Sequence, residues 1–232
     1  MKLGSSIITA TYAERPNRFT VIAHHNSSRV RCYFPNPGRM NELLIPGVEM
    51  ALDRIDRFSN HTRKTTYEVI AIRLGKRWIS IDSRIPNKLV AEALRNKQLR
   101  EFQPYTRIKQ EAFFGKNRFD FLLDSHNQSC WLEVKSCTLV VNGVAIFPDA
   151  PTARGSRHLR GLTEAKKHGY RACIMFVIQR EDAKLLTPNL QTDPAFCDSL
   201  RAARRSGVEV YAKRCKFSNF NLTLDGNVPV KF

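Results

Sequence analysis

Asp120 and the tripeptide Glu133-Val134-Lys135 are the residues whose types and spacing best suit catalysis. On an extended strand, positions i and i+2 share a face, so Glu133 and Lys135 project together. The polar stretch Asp124 to Ser129 separates two strand-like segments, and a hairpin over it carries Asp120 beside Glu133. Adjacent carboxylates oppose each other's ionisation unless a cation lies between them. Hard oxygen donors of this kind suit Mg²⁺ or Mn²⁺. The Val134 carbonyl offers another oxygen, and Glu111, one strand earlier, is a candidate further carboxylate for catalysis and metal ligation. A lysine at such a centre orients a water or helps to deprotonate it, as hydrolytic attack on a phosphate requires. Spacing alone equally allows a Glu133–Lys135 ion pair on a solvated face. Against that, the charges interrupt an apolar strand, Trp131-Leu132-Glu133-Val134-Lys135, where unpaired burial is costly.

A second group follows a Pro-rich loop, Phe147-Pro148-Asp149-Ala150-Pro151-Thr152. Arg154 and His158 are i and i+4, hence on one helical face. Arg154 suits a phosphate, and His158 suits donation to a leaving oxygen, although a lone helical histidine is more often structural. Asp149 reads as a cap or turn residue. Near the N-terminus, Arg29, Arg31 and Tyr33 alternate with Val30 and Cys32, giving a basic-aromatic face, and Arg39, Arg63 and Lys64 add charge near turns. Such a face suits nucleic acid, and ordinary surface arginine is the equal alternative for any one residue. Arg201, Arg204 and Arg205 read by default as a solvated helix face.

The elements that must hold these groups fall into two sets. Residues 1–82 read as short strands with turn clusters at Pro35 to Gly38, Ile45 to Gly47 and Gly75-Lys76. Over Thr65–Leu74, alternation places Tyr67, Val69, Ala71 and Arg73 on one side. The whole suggests a small barrel or sandwich. Residues 83–232 alternate strands and helices: a helix after Pro86 with Asn87 as its cap, strands over 105–112, 117–124 and 130–141, a helix from Thr152 to His168 stopped by Gly169, and a buried strand over 171–179. A helix capped by Asp193 and ended by Gly207 leads to a last strand over 208–213. This succession predicts an α/β domain with a mixed sheet, α+β for the whole chain.

The chain has 232 residues, 42% of them hydrophobic and 25% charged, which excludes disordered and collagenous classes. The longest apolar run, Ala172–Ile178, is too short to span a bilayer, and no signal-peptide core is visible, so a cytoplasmic protein without a membrane partner is expected. Lys and Arg number 38 against 21 Asp and Glu, a net charge of +17. Residues 1–82 hold 13 against 7 and the remainder 25 against 14, so the excess is spread through both parts. That field favours a polyanion, with DNA first and RNA second, gripped without sequence preference. A homodimer is compatible with the sequence. The six cysteines form no C-x-x-C pair and no zinc spacing, which fits buried, reduced thiols.

Asp120, then Glu133-Val134-Lys135 in a sheet, resembles the PD-(D/E)xK nuclease superfamily, with Phe119 where the superfamily's name expects proline. Longer blocks are similar to the sugar fermentation stimulation protein A family: Arg118-Phe119-Asp120-Phe121, Leu132 to Val140, Phe147 to Thr152, Arg154-Gly155 with His158-Leu159, Asn36 to Met40, and Leu43 to Gly47. Cys137 stands where that family usually has an aliphatic residue. The resemblance covers nearly the whole chain. It implies an N-terminal OB-like β-barrel, a C-terminal nuclease-like mixed-sheet domain, non-specific DNA binding and a regulatory link to sugar (maltose) utilisation. By motif it makes Asp120, Glu133 and Lys135 a nuclease-type triad, with Glu111, Arg154 and His158 accessory. Two readings follow: a Mg²⁺-dependent phosphodiesterase acting on DNA, or a non-catalytic DNA-binding regulator. Motif and fold do not decide between them.

Overall fold

The computed structural model describes residues 1–55 and 65–232. Six strands come first: β1 (Ile7–Asn17), β2 (Thr20–His25), β3 (Ser28–Tyr33), β4 (Glu49–Arg54), β5 (Tyr67–Leu74) and β6 (Arg77–Ser80). Tight turns set their order. Asn26 and Ser27, joining β2 to β3, both adopt positive φ, the conformation whose twist matches an antiparallel hairpin. Gly75, at φ +58°, does the same work between β5 and β6. The sheet runs β3-β2-β1-β4-β5-β6, and a parallel pairing of β3 with β5 closes five strands into the expected OB-like barrel. Its interior is filled by Val21, Cys32, Phe34, Met50, Leu52 and Ile72, among others.

The common side expected for Val69 and Ala71 is not found. The β4–β5 register slips between Ala51 and Leu52, which are paired with Ala71 and Val69. Val69 therefore faces the barrel interior, whereas Ala71 joins Ile70 in an outer cluster packed by Trp78, Phe217 and Phe220. Strands β1 and β4 were not among the expected elements.

The rest of the chain forms α1 (Ile85–Arg95), β7 (Arg107–Phe114), β8 (Asn117–Asp124), β9 (Ser129–Cys137), β10 (Val140–Val141), β11 (Val144–Phe147), α2 (Ala153–Lys167), β12 (Arg171–Ile178), β13 (Leu185–Pro188), α3 (Pro194–Arg205), β14 (Glu209–Ser218) and β15 (Asn221–Asn227). The large sheet runs β15-β14-β12-β9-β8-β7, antiparallel at both edges and parallel across β9, β12 and β14. It is the mixed sheet the sequence predicted. β12 shows why its sequence is continuously apolar. Ala172, Ile174, Phe176 and Ile178 pack under α2 and α3, while Cys173, Met175 and Val177 pack under α1.

Helix ends follow local chemistry. Thr152 caps α2, its Oγ1 accepting from Gly155 N at 3.0 Å, and Asp193 caps α3 through Phe196 N at 2.9 Å. α1 differs from expectation. It starts at Ile85, two residues before Asn87, because Pro86 fits the first helical turn and needs no N–H partner there. All six cysteines are buried and free.

Buried polar contacts join barrel and sheet. Ser80 Oγ donates to Gln179 Oε1 at 2.6 Å, and Gln179 Nε2 donates to the Asp82 carbonyl and to Ser136 Oγ, both at 3.0 Å. Asp149 accepts from the backbone of Arg39 and Met40. A Cβ at Gly38 would overlap that carboxylate, so the close approach requires glycine.

Candidate functional site

The β8–β9 ladder runs from Asp124–Ser129 to Phe121–Leu132 and stops there. Beyond it, Asp120 Oδ2 accepts the Val134 N–H at 2.7 Å, taking the place of a strand carbonyl. In a strand the N–H and C=O of one residue point to the same neighbour, so the Val134 carbonyl also faces this fork. Asn87 Nδ2, on α1, donates to Asp120 Oδ1 at 2.6 Å. Asn87 thus orients a carboxylate rather than capping its helix.

Glu133 is only 3% exposed and faces α2. Its Oε1 accepts from Lys135 Nζ at 2.5 Å and from His158 Nδ1, while Oε2 is buried with no hydrogen-bond partner among the described residues. Lys135 is 14% exposed at its side chain. Asp120, Glu133 and Lys135 are therefore brought together, as the strand spacing required. Their environments push the two acids apart. Burial, then the Glu133 charge, raises the Asp120 carboxyl to about 6. Burial alone would also raise Glu133, but the His158 hydrogen bond and the Lys135 ammonium outweigh it and hold the carboxyl below its ordinary value.

The Asp120 shift has a stability consequence. Its folded value lies above the unfolded one, so the penalty is absent below about pH 4 and complete above about pH 6. Asp120→Asn is therefore expected to stabilise the metal-free protein at pH 8 by about 1–3 kcal/mol. Urea unfolding at pH 5, 6, 7 and 8 measures this. Wild type and variant should converge toward low pH, and parallel curves would contradict the assignment.

The structure does not bring Glu111 to this site. Its side chain is 70% exposed and its nearest cationic partner is Arg118, at 3.7 Å. It adopts φ +52° between the pairs Gln110–Phe121 and Ala112–Phe119, and this left-handed residue turns the side chain outward. Opposite this break in the ladder, Phe119 and Phe121 lie two residues apart yet pack in cores on opposite sheet faces. Asp120, at the crossover between them, reaches sideways to Val134. Among the described residues no group of three or more His, Cys, Asp or Glu is arranged to hold a metal. The available oxygens are those of Asp120, Glu133 Oε2 and the Val134 carbonyl, and a buried, unpartnered carboxylate oxygen is the feature a cation would satisfy.

His158 is brought to this site. It is 2% exposed, and Arg154 Nε donates to its Nε2 at 3.3 Å, which leaves the Nδ1–H form to donate to Glu133. Both ring nitrogens are thus engaged within the protein, and the Nδ1 contact positions Glu133. Arg154 itself is exposed.

Arg29, Arg31 and Tyr33 lie on one solvent-facing side of β3, with Arg29 paired to Glu14. Phe19, missed in the sequence, stacks beside Tyr33 at 6.4 Å between centroids, and Arg84 lies over the Tyr33 ring. Arg63 and Lys64 fall outside the described residues. Arg39 and Arg18 stand at a cleft of about 810 Å³ between barrel and sheet, also lined by Ser136, Thr138 and Asp149. The cleft begins one residue beyond Lys135. Asn87 and Gln179 are the other residues sequence reasoning missed. An asparagine within a helix already started by proline has no cap to make, and that was the available signal for Asn87.

No described helix is long and apolar enough to cross a membrane. Two family models match the chain, "SfsA N-terminal OB domain" over residues 13–81 and "Sugar fermentation stimulation protein RE domain" over residues 84–221. A sugar fermentation stimulation protein homolog from Moorella thermoacetica is 46% identical, over 100% of this chain and 99% of that protein. A homolog from Thermoanaerobacter sp. strain X514 is 41% identical over 99% of each. Among solved structures, Pyrococcus furiosus SfsA in complex with Ca²⁺ superposes with a TM-score of 0.90 at 26% identity, covering 100% of both chains.

Proposed function

Since the chain belongs to the sugar fermentation stimulation protein family, we propose that it binds DNA with little sequence preference and hydrolyses its phosphodiester bonds at Asp120, Glu133 and Lys135. The observation that carries this reading is the fork between β8 and β9. There the buried Glu133, the part-buried Asp120 and Lys135 converge, and Glu133 Oε2 has no partner among the described residues. The Ca²⁺ bound by the Pyrococcus relative supports a divalent-cation site in this fold. The net charge of +17 supports a polyanionic substrate.

Asp120, Glu133 Oε2 and the Val134 carbonyl would hold Mg²⁺ or Mn²⁺. When bound, the cation supplies Lewis-acid stabilisation of the charge growing on the phosphate and acidifies a water. Lys135 Nζ, placed by its contact with Glu133, orients the attacking water and exchanges a proton with it. His158 holds Glu133 ionised and in register, and Asn87 does the same for Asp120. Arg154, exposed beside His158, donates to a phosphate oxygen.

The second reading, a non-catalytic DNA-binding regulator linked to sugar metabolism, rests on the charge and the family's name. One assay separates the two: linear, circular, single-stranded and branched DNA with Mg²⁺ or Mn²⁺, wild type beside Glu133→Ala. We expect cleavage by wild type, a loss of about 10²–10⁴-fold in the variant, and retained DNA binding. Calorimetry should show Mn²⁺ binding to wild type and not to the variant. Equal cleavage by clean preparations of both would remove the nuclease reading. Binding without cleavage in either would select the regulator.

A further inference from the structure

We propose that the first two turns of α2, through Arg154, Arg157 and Arg160, form the track that holds the DNA backbone beside the Asp120–Glu133 pair. This inference rests on the nuclease reading and assigns the surface on which its substrate lies. All three arginines are exposed, and among the described residues none has an acidic partner. The helix contains a single acid, Glu164, which sits further along and pairs with Lys167 and His168. Arg154 is the second residue of α2, and its first turn holds no acid. Cations there oppose the helix dipole, and like charges at this spacing repel each other. Within the protein this arrangement is unfavourable, and among the described residues no acidic side chain offsets it.

α3 provides the contrast. Arg201 pairs with Asp198 at 3.4 Å, Arg204 lies 4.3 Å from the Phe232 ring centre, and Arg204 and Arg205 occupy the last turn, where the dipole favours cations. Those arginines are accounted for internally, and the α2 stripe is not. Position adds to the case. Arg154 touches His158, which holds Glu133, so one end of the stripe abuts the candidate site. From Arg154 to Arg160 the helix advances about 9 Å, the axial rise of two to three nucleotides of one strand at about 3.4 Å each. The arginine fork suits successive phosphates, and no base-reading group accompanies it.

The test is DNA affinity against salt, from 50 to 200 mM, by fluorescence anisotropy on a duplex. It compares wild type, an Arg157→Gln/Arg160→Gln double variant, and an Arg201→Gln/Arg205→Gln double variant of equal charge loss. For the α2 variant we expect a slope shallower by about 1.8, at about 0.9 per phosphate contact, and affinity lower by about 10–100-fold at 0.1 M salt. Its melting temperature should be unchanged or higher, since repulsion is removed. The α3 variant should keep the wild-type slope within about 0.5. Unchanged binding by the α2 variant would overturn the inference and leave the nuclease reading intact, as would equal losses in both variants. Preferential displacement by RNA would overturn DNA as the occupant. Absence of DNA binding by wild type would overturn both readings.

Discussion

Lys135→Met is expected to reduce metal-dependent DNA cleavage by about 10²–10⁴-fold while leaving DNA affinity within about twofold of wild type. Methionine keeps the length and apolar stem and removes only the ammonium. That ammonium lies 2.5 Å from Glu133 Oε1, on a side chain 14% exposed against 3% for Glu133. Its loss leaves Glu133 buried with His158 as its one hydrogen-bond donor among the described residues, so the carboxyl should titrate higher than it does in wild type. Breaking one partner of a buried pair also lowers stability, by about 3–5 kcal/mol in the worst case. Lys135→Arg, which keeps the charge and gives up the exchangeable proton, separates the two effects. Single-turnover cleavage and thermal melting should show Lys135→Arg folded and inactive. An active Lys135→Met would remove lysine from the chemistry.

The largest stability effect is expected at Phe119. The ring is fully buried, 5.7 Å from Trp131 and edge-on to His158 at 5.9 Å between centroids. Gly161 lies directly over it, since a Cβ there would sit 3.0 Å from Phe119 Cζ and 2.5 Å from Asn117 Nδ2. Such a site cannot collapse around a smaller residue without moving α2. Phe119→Ala should cost about 3–5 kcal/mol, or roughly 6–20 °C in melting temperature for a chain of this size. It should also free His158 and with it Glu133, so cleavage falls further than the folded fraction does. A fall of less than about 3 °C would show that Trp131 refills the space.

The parts that were legible in the sequence share a physical cause. β12 announced itself because both its faces are buried, which leaves no room for a polar residue from Ala172 to Ile178. α2 and α3 carried their caps, Thr152 and Asp193, and their stop glycines, both at positive φ. Asp120, Glu133 and Lys135 were legible because strand period and a hairpin suffice to bring them together. β1 was not, because its register against β2 shifts twice and breaks the alternation. β4 is only six residues long and lacks a pattern of its own. The outward turn of Glu111 was not legible, because one left-handed residue reverses a side chain and periodicity carries no sign of it. The burial of His158 was not legible, because spacing gives a face and not its depth. Asn87 was hidden because its partner lies 33 residues away on another element.

The Gln179 amide reaches further than its three hydrogen bonds. It ties Ser80, at the end of the barrel, to Ser136, the residue after Lys135. Tilting the barrel would strand buried donors and acceptors, so its attitude to the sheet is set. On the nuclease reading proposed above, a strand held by the barrel would meet Asp120, Glu133 and Lys135 at one constant offset, counted in nucleotides. The molecule would then act as a ruler, and fragments from cleavage would carry a fixed overhang measured from whatever feature the barrel engages.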